Sequence, residues 1–342
     1  MNNDPFQALQ RQGFHVSPVH IGRLSELVDM FNRTSQHVIG EDEFTLEEYM
    51  LEYQAPGFDL EQSTRVVYSP KNAPVGVIEI WDNESLPVHP FIWAVVDPTW
   101  EGRGIGTAMM TWALERGQHV LSKVPQELRV SVRSAVTQNY PPAKGLLEHF
   151  GMQPIRHYHR MVVRFVEPPP PPVWPDGISL RRFDPESDAE AVYRAENEAF
   201  RDHWGHVELP FDEGFEQWKH YTLQHPDFDA SLWYIAMDGD DIAGLATCKD
   251  HRPFDPQMGW VSILAVRRPW RRQGLGLALL NHAFNMLHKR GKSSVGLGVD
   301  STSLTGATDL YEKAGMCVER TTTSYELELR GGIERMTQNV SR

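Results

Sequence analysis

The sequence predicts an α/β protein built from two repeated domains. Three observations support this fold class. Segments with helical spacing alternate with apolar segments of strand length, a glycine motif occurs twice, and a run of prolines divides the chain near its middle. The chain has 342 residues, which is enough for two domains of ordinary size.

The boundary between the two halves is predicted at the proline-rich segment 167–176. Five consecutive prolines at positions 168–172 exclude a helix or a central strand. They favour a stiff polyproline II spacer over a ligand for another protein. The predicted domains are therefore residues 1–166 and 177–342.

Three segments recur in the same order in the two halves, which indicates a gene duplication. Gly104 and Gly274 are 170 positions apart (274 − 104). The other matches are LLEHFGM at 146–152 with LYEKAGM at 310–316, and APVGVIEIW at 73–81 with DIAGLATCK at 241–249.

The spacing of apolar residues predicts the elements of the second half. In chain order they are helices at 188–204 and 212–225, a hairpin with strands at 231–237 and 242–249, a strand at 259–267, a helix at 276–289, a strand at 294–300, a helix at 306–315 and a strand at 322–329. Gly291 is placed to end the long helix. The first half predicts much the same order.

Composition limits the possible functions. The net charge of −13 argues against general binding to nucleic acid or anionic membranes, although a local basic site at 271–272 is compatible with it. No apolar run approaches the length of a transmembrane helix, and the N-terminus lacks a secretory pattern, so a cytoplasmic location is expected. Cys248 and Cys317 predict neither a disulfide framework nor a metal site.

The segment RRQGLGLALL, residues 271–280, is typical of an anion-binding turn. Glycines between a strand and a helix leave the first helical amides free, and those amides and the helix dipole favour phosphate. A tight turn without a ligand is the plainer alternative. A dinucleotide fingerprint would need a third glycine, and a Walker A loop would need a glycine at Met286.

Two longer segments resemble one family. LAVRRPWRRQGLGLALL at 264–280 resembles the acetyl-CoA-binding motif of the GNAT superfamily of N-acetyltransferases, and LGVDSTSLTGATDLYEKAGM at 297–316 resembles the strand and helix that follow it. The resemblance covers the chain as a tandem pair of the mycothiol-synthase-like type. It implies two acyl-CoA N-acyltransferase domains, each a mixed, mostly antiparallel central sheet flanked by helices.

The resemblance also assigns site residues. It implies that the diphosphate of acetyl-CoA binds the turn, that the pantetheine arm pairs with the end of the preceding strand, and that an amine attacks the thioester directly without a metal. Tyr311 would protonate the departing thiolate. The residues implied for acetyl-CoA are Leu264, Ala265, Val266, Arg271, Arg272, Gln273, Gly274, Leu275 and Gly276.

The first half departs from the motif at two positions. Glu101 stands where the second half has Arg271, and Leu147 stands where it has Tyr311. A carboxylate beside a diphosphate is repulsive, and leucine has no proton to give. Residues 1–166 are therefore predicted to be catalytically degenerate. They could still bind CoA without turnover, border the acceptor site, or act only as a scaffold.

The general base is less clearly marked. Many family members carry a carboxylate on the strand before the turn, but residues 259–263 contain none. Asp300, at the end of the next strand, is the catalytic candidate. Glu198, Asp202 and His203 are alternatives because the first helices of this fold commonly border the acceptor site.

The sequence thus predicts an acetyl-CoA-dependent N-acetyltransferase that acts on a small primary amine, as a monomer or homodimer. A non-catalytic acyl-CoA-binding or sensing protein, or a protein or peptide N-acetyltransferase, are the alternatives.

Overall fold

The computed structural model describes residues 4–303 and 306–338. The helices of this part of the chain are α1 Gln7–Gln10, α2 Leu24–Ile39, α3 Leu46–Glu52, α4 Leu60–Ser63, α5 Ile105–Gly117, α6 Pro141–His149, α7 Ala189–Phe200, α8 Phe211–Tyr221, α9 Leu275–Lys289 and α10 Ala307–Lys313. The strands are β1 His15–Ser17, β2 Thr64–Tyr68, β3 Pro74–Trp81, β4 Phe91–Val96, β5 Val130–Thr137, β6 Gln153–Arg164, β7 Ile178–Arg182, β8 Trp233–Asp238, β9 Asp241–Lys249, β10 Met258–Val266, β11 Ser294–Asp300 and β12 Cys317–Arg330.

The chain divides into two compact units. The first contains the described part of Met1–Arg156 together with Thr322–Arg335, and the second contains His157–Thr321 and the described part of Met336–Arg342. Within the first unit the strands pair in the order β1-β2-β3-β4-β5-β12, and within the second in the order β7-β8-β9-β10-β11-β6. In each unit one of these pairs is parallel, β4 with β5 and β10 with β11, and the others are antiparallel.

The two units exchange their last strands. Thr322 to Arg330 of β12 pair with β5 in the first unit, whereas Tyr158 to Arg164 of β6 pair with β11 in the second. The sequence-based domain limits would leave each half with its own last strand. The proline-rich segment 167–176 also falls within the second compact unit instead of between the two. Sequence offsets identify matching strands, but they do not show which sheet a terminal strand joins.

Helix α9 illustrates why these sequences form these elements. Its predicted apolar positions Leu280, Ala283, Phe284 and Leu287 are all buried, and the helix contacts β9, β10 and β11. Burial of a leucine or phenylalanine side chain contributes roughly 1.5–3 kcal/mol. Gly291 follows the helix with φ of +85°, a conformation that suits glycine after a helix end.

Most second-half elements lie within a few residues of their predicted positions. Strand β11 has the predicted bounds, and the hairpin of β8 and β9 is present. Strand β7, directly after the proline-rich segment, was not predicted. Within the described residues, the helices are too short or too polar to cross a lipid bilayer.

Candidate active site

The predicted turn of the second unit has the backbone of an anion cradle. After β10 the chain makes a 3₁₀ turn at Arg268–Trp270 and then places Arg272 at φ of +64° and Gly274 at φ of +89°. Gly274 is the N-cap of α9 and supplies no side-chain hydrogen bond to the helix. The first amides of α9 are therefore directed at whatever lies before the helix, which favours an anion.

A gap between β10 and β11 opens beside this cradle. The two parallel strands are paired from Met258 with Ser294 to Trp260 with Gly296. Further along these fully described strands the ladder ends, while residues 264–266 stay paired with β9 on their other side. The strand edge that the resemblance assigns to the pantetheine arm is thus left without a strand partner.

The Arg271 side chain is turned away from the cradle. Its guanidinium donates to the carboxylate of Asp202 at 2.6 Å and to the backbone oxygens of Val266 and Ala199 at 3.0 and 2.9 Å. Arg268 also bonds Asp202, and the two guanidinium groups lower the pKa of Asp202 to about 2. The Arg271 side chain therefore stabilises the loop. Only the backbone of Arg271 is left to bind a ligand in the cradle.

The neighbouring side chains of the turn are more accessible. Arg272 and Gln273 are exposed, and the Gln273 amide donates to the Pro269 oxygen at 2.8 Å. No hydrogen bond or ion pair of the Arg272 side chain is found among residues 4–303 and 306–338. Arg272 is consequently the cation of this turn that can approach an anion.

Tyr311 lies on α10, where 8% of it is exposed. Burial raises the pKa of its phenol to about 12. The side chain packs within the apolar core of the second unit. The hydroxyl therefore stays protonated at neutral pH, as a proton donor must.

Asp300 and His203 interact electrostatically. Asp300 ends β11 and accepts hydrogen bonds from the amide and the hydroxyl of Thr302 at 3.0 and 3.3 Å. His203 follows α7, and its ring packs on Phe200 at 4.3 Å between centroids. Burial and the charge of Arg271 lower the pKa of His203, against the opposing effect of the Asp300 carboxylate. His203 is therefore a neutral imidazole that can accept a proton at neutral pH.

The other predicted base candidates are committed to ion pairs. Glu198 accepts from the Arg267 guanidinium at 2.8 and 2.9 Å. Asp202 is a weak base because its pKa is held near 2.

The first unit keeps the same cradle backbone and has a cavity beside it. Gly102 and Gly104 have φ of +71° and +81°, and α5 begins directly after them. The cavity has a volume of about 520 Å³ and is lined by α2, β4, β5, the cradle and α6. Leu147, which matches Tyr311 in the repeat, borders this cavity.

Tyr140 is a residue of this cavity that sequence reasoning missed. It precedes α6, and its hydroxyl donates a hydrogen bond to the Glu101 carboxylate. Burial raises the pKa of Glu101. The only signal was a tyrosine next to two prolines at a helix start, because the repeat directs attention to Leu147 instead.

Solved structures of similar fold cover nearly the whole chain. A GCN5-related N-acetyltransferase from Sphaerobacter thermophilus is 29% identical with a TM-score of 0.76, over 94% of this chain and 97% of that one. A tandem GNAT protein from the clavulanic acid biosynthesis pathway is 13% identical with a TM-score of 0.67, over 94% of this chain and 100% of that one. The predicted fold class, two tandem GNAT domains with mixed, mostly antiparallel sheets, is confirmed.

Sequence comparisons agree with the fold. The mycothiol acetyltransferase of Thermobispora bispora is 30% identical over 229 residues, which are 65% of this chain and 70% of that protein. The model of the acetyltransferase (GNAT) family matches residues 25–152 and 189–316, one segment in each half. The tandem repeat, the shared topology and these matches lead to one conclusion: the chain belongs to the acetyltransferase (GNAT) family.

Proposed function

We propose that this acetyltransferase uses acetyl-CoA to acetylate the primary amine of a small molecule, and that the second unit carries out the reaction. The family uses acyl-CoA donors. The name of the Thermobispora bispora relative supports a small-molecule acceptor. The observation that carries the proposal is the cradle before α9, where Arg272 and Gly274 adopt left-handed backbone conformations and leave the helix amides uncapped.

The residues of the second unit suit acetyl-CoA. The amides of Leu275 and Gly276 would bind the diphosphate, with Arg272 supplying a positive charge. The free edge of residues 264–266 in β10 would pair with the amide groups of the pantetheine arm. Acetyl-CoA, when bound, supplies an activated acetyl thioester.

The proton transfers are assigned to two side chains. His203 accepts a proton from the amine as its nitrogen forms a bond to the acetyl carbon, and the Asp300 carboxylate favours the resulting imidazolium. Tyr311 donates its phenol proton to the sulfur as the carbon–sulfur bond breaks. Solvent then takes the proton from His203 and returns one to Tyr311, so protons balance over a turnover.

Calorimetric titration with acetyl-CoA tests the cradle. Gly274→Glu introduces a carboxylate where the diphosphate would bind, and we expect its affinity to fall by at least about tenfold through repulsion. Gly104→Glu is a matched control, because Gly104 and Gly274 share φ of +81° and +89° and suffer similar strain. The control should leave the affinity unchanged.

Two results would contradict the assignment. Unchanged affinity in Gly274→Glu would exclude the cradle before α9, and an equal loss in both variants would point to strain instead of repulsion. Circular dichroism and thermal melting of each variant establish that it is folded before it is titrated.

A further inference from the structure

The cavity of the first unit has an unexpected charge for a diphosphate site. Of its lining side chains within the described residues, Glu43 and Glu101 are acidic, and none is lysine, arginine or histidine. Arg103, within the cradle segment, is exposed, and its guanidinium stacks over the Trp100 ring at 4.6 Å. The cradle amides therefore face a carboxylate instead of a cation.

One end of the cavity has aromatic walls. Phe44 and Trp93 line it with ring centroids 5.9 Å apart, and the fully buried Phe31 packs against Trp93 with centroids 4.9 Å apart. Glu43 directly precedes Phe44 and lines the same end. Aromatic faces beside a carboxylate attract organic cations, through the ring quadrupole and through the opposite charge.

The other end is organised by Tyr140. Its hydroxyl holds the Glu101 carboxylate at the cradle, where a diphosphate would otherwise bind. Displacing this carboxylate would break the hydrogen bond and bring two anions together. Between the two ends the walls are largely apolar, with Ile105, Met109 and Val136 among them.

We propose that the first unit binds an organic cation in this cavity, a primary or quaternary ammonium that carries an apolar group. The ammonium is held at the aromatic end by Glu43 and the rings of Phe44 and Trp93, and the apolar group fills the centre toward Glu101. The volume of about 520 Å³ accommodates a molecule of the size of a phenylalkylamine. This site is separate from the reaction assigned to the second unit.

The test is calorimetric titration of the full chain with benzyltrimethylammonium, which has no N–H and cannot be acetylated. Phenethylamine and the neutral 2-phenylethanol form a second pair of probes, matched in size and different in charge. Glu101→Gln and Glu43→Gln each remove one cavity carboxylate. Glu115→Gln is the matched control, because Glu115 is an exposed carboxylate on α5 of the same unit outside the cavity lining.

We expect both ammonium probes to bind, with the affinity reduced by about tenfold in Glu43→Gln, several-fold in the more distant Glu101→Gln, and by less than twofold in Glu115→Gln. Equal affinity for 2-phenylethanol and phenethylamine would overturn the proposal, as would binding that neither cavity variant reduces. Acetyl-CoA binding that persists in Gly274→Glu and is lost on adding Gly104→Glu would also overturn it, by showing that the first unit accepts the diphosphate. None of these outcomes decides whether the second unit carries out the reaction. Its acetyl-CoA site is tested separately by the titration of Gly274→Glu.

Discussion

The two cradles have nearly the same backbone and different side chains. Left-handed residues occur at 102 and 104 in the first unit and at 272 and 274 in the second. The first unit uses glycine at both positions, whereas the second places Arg272 in a conformation that costs a residue with a Cβ about 1 kcal/mol. The two repeats thus share a cradle backbone, whereas the side chains around it differ in charge.

The units also differ in the groups that surround the cradle. Helix α2 continues to Ile39, and Val38 and Ile39 line the cavity of the first unit. Helix α7 ends at Phe200, and the turn after it holds His203. The second unit thus has His203 near its cradle, whereas the first has His37 of α2, whose ring lies 6.5 Å from that of Tyr140 and whose charge acts to lower the pKa of Glu101.

The largest expected effect concerns the two tyrosines. Tyr311→Phe removes the proposed proton donor, so kcat should fall by about 100-fold while acetyl-CoA affinity changes by less than twofold. Tyr140→Phe is the matched change in the first unit and should leave kcat within twofold. Steady-state kinetics with calorimetric binding measure both quantities.

Two outcomes would break this comparison. An unchanged kcat in Tyr311→Phe would remove the proton-donor role. A fall of kcat in Tyr140→Phe but not in Tyr311→Phe would assign the reaction to the first unit.

The pH dependence of kcat/KM examines His203. Its pKa lies below the usual 6.5, so kcat/KM should fall about tenfold per pH unit below that pKa and level off above it. Tyr311, with a pKa of about 12, should add no loss of rate up to pH 9. The measured kcat/KM is first corrected for the ionisation of the acceptor amine, whose pKa is known. His203→Gln should then abolish the remaining fall of kcat/KM at low pH, the acid limb of the profile. A limb that persists in that variant would assign the base elsewhere.

Sequence patterns predicted the secondary structure around the candidate site. The order β10, α9 and β11 and the left-handed Gly274 follow from apolar spacing and a glycine between strand and helix. The orientation of Arg271 could not be predicted, because it depends on Asp202, which is 69 positions away. The exchange of β6 and β12 was also hidden, since the partner of a strand is not encoded in its own apolar pattern.

A smaller effect is expected from exchanging Arg272 for the residue of the other unit. Arg272→Gly relieves the left-handed strain and should raise the free energy of unfolding by about 1 kcal/mol. The same change should weaken acetyl-CoA binding roughly fivefold, because it removes the accessible cation of the cradle. Gly102→Arg should lower stability by a similar amount without changing that affinity. Tighter binding by Arg272→Gly would contradict a phosphate role for Arg272.

The smallest expected effect comes from an ion pair whose polarity is reversed between the units. Arg33 of α2 bonds Asp97 after β4, and Glu198 of α7 bonds Arg267 after β10. Each pair ties a helix to the residue that follows the cradle strand, and both pairs are partly exposed. A double-mutant cycle with Glu198→Arg and Arg267→Glu should therefore give a coupling energy of about 0.5 kcal/mol in denaturant unfolding.

The equivalent reversal in the first unit, Arg33→Glu with Asp97→Arg, should give similar coupling, and in both units the reversal also removes bonds outside the ion pair. Asp97 also accepts hydrogen bonds from the amide and hydroxyl of Thr99, at 3.0 and 2.7 Å, and an arginine cannot replace these. In the second unit Pro269 at the corresponding position has no amide to be capped, but Arg267 also donates to the backbone oxygen of Ile242 at 2.9 Å, a bond that a glutamate cannot make. Zero coupling in both cycles would show that the reversed charges do not join these helices to their strands. Coupling in the second unit alone would show that Asp97 is held chiefly by its bonds to Thr99.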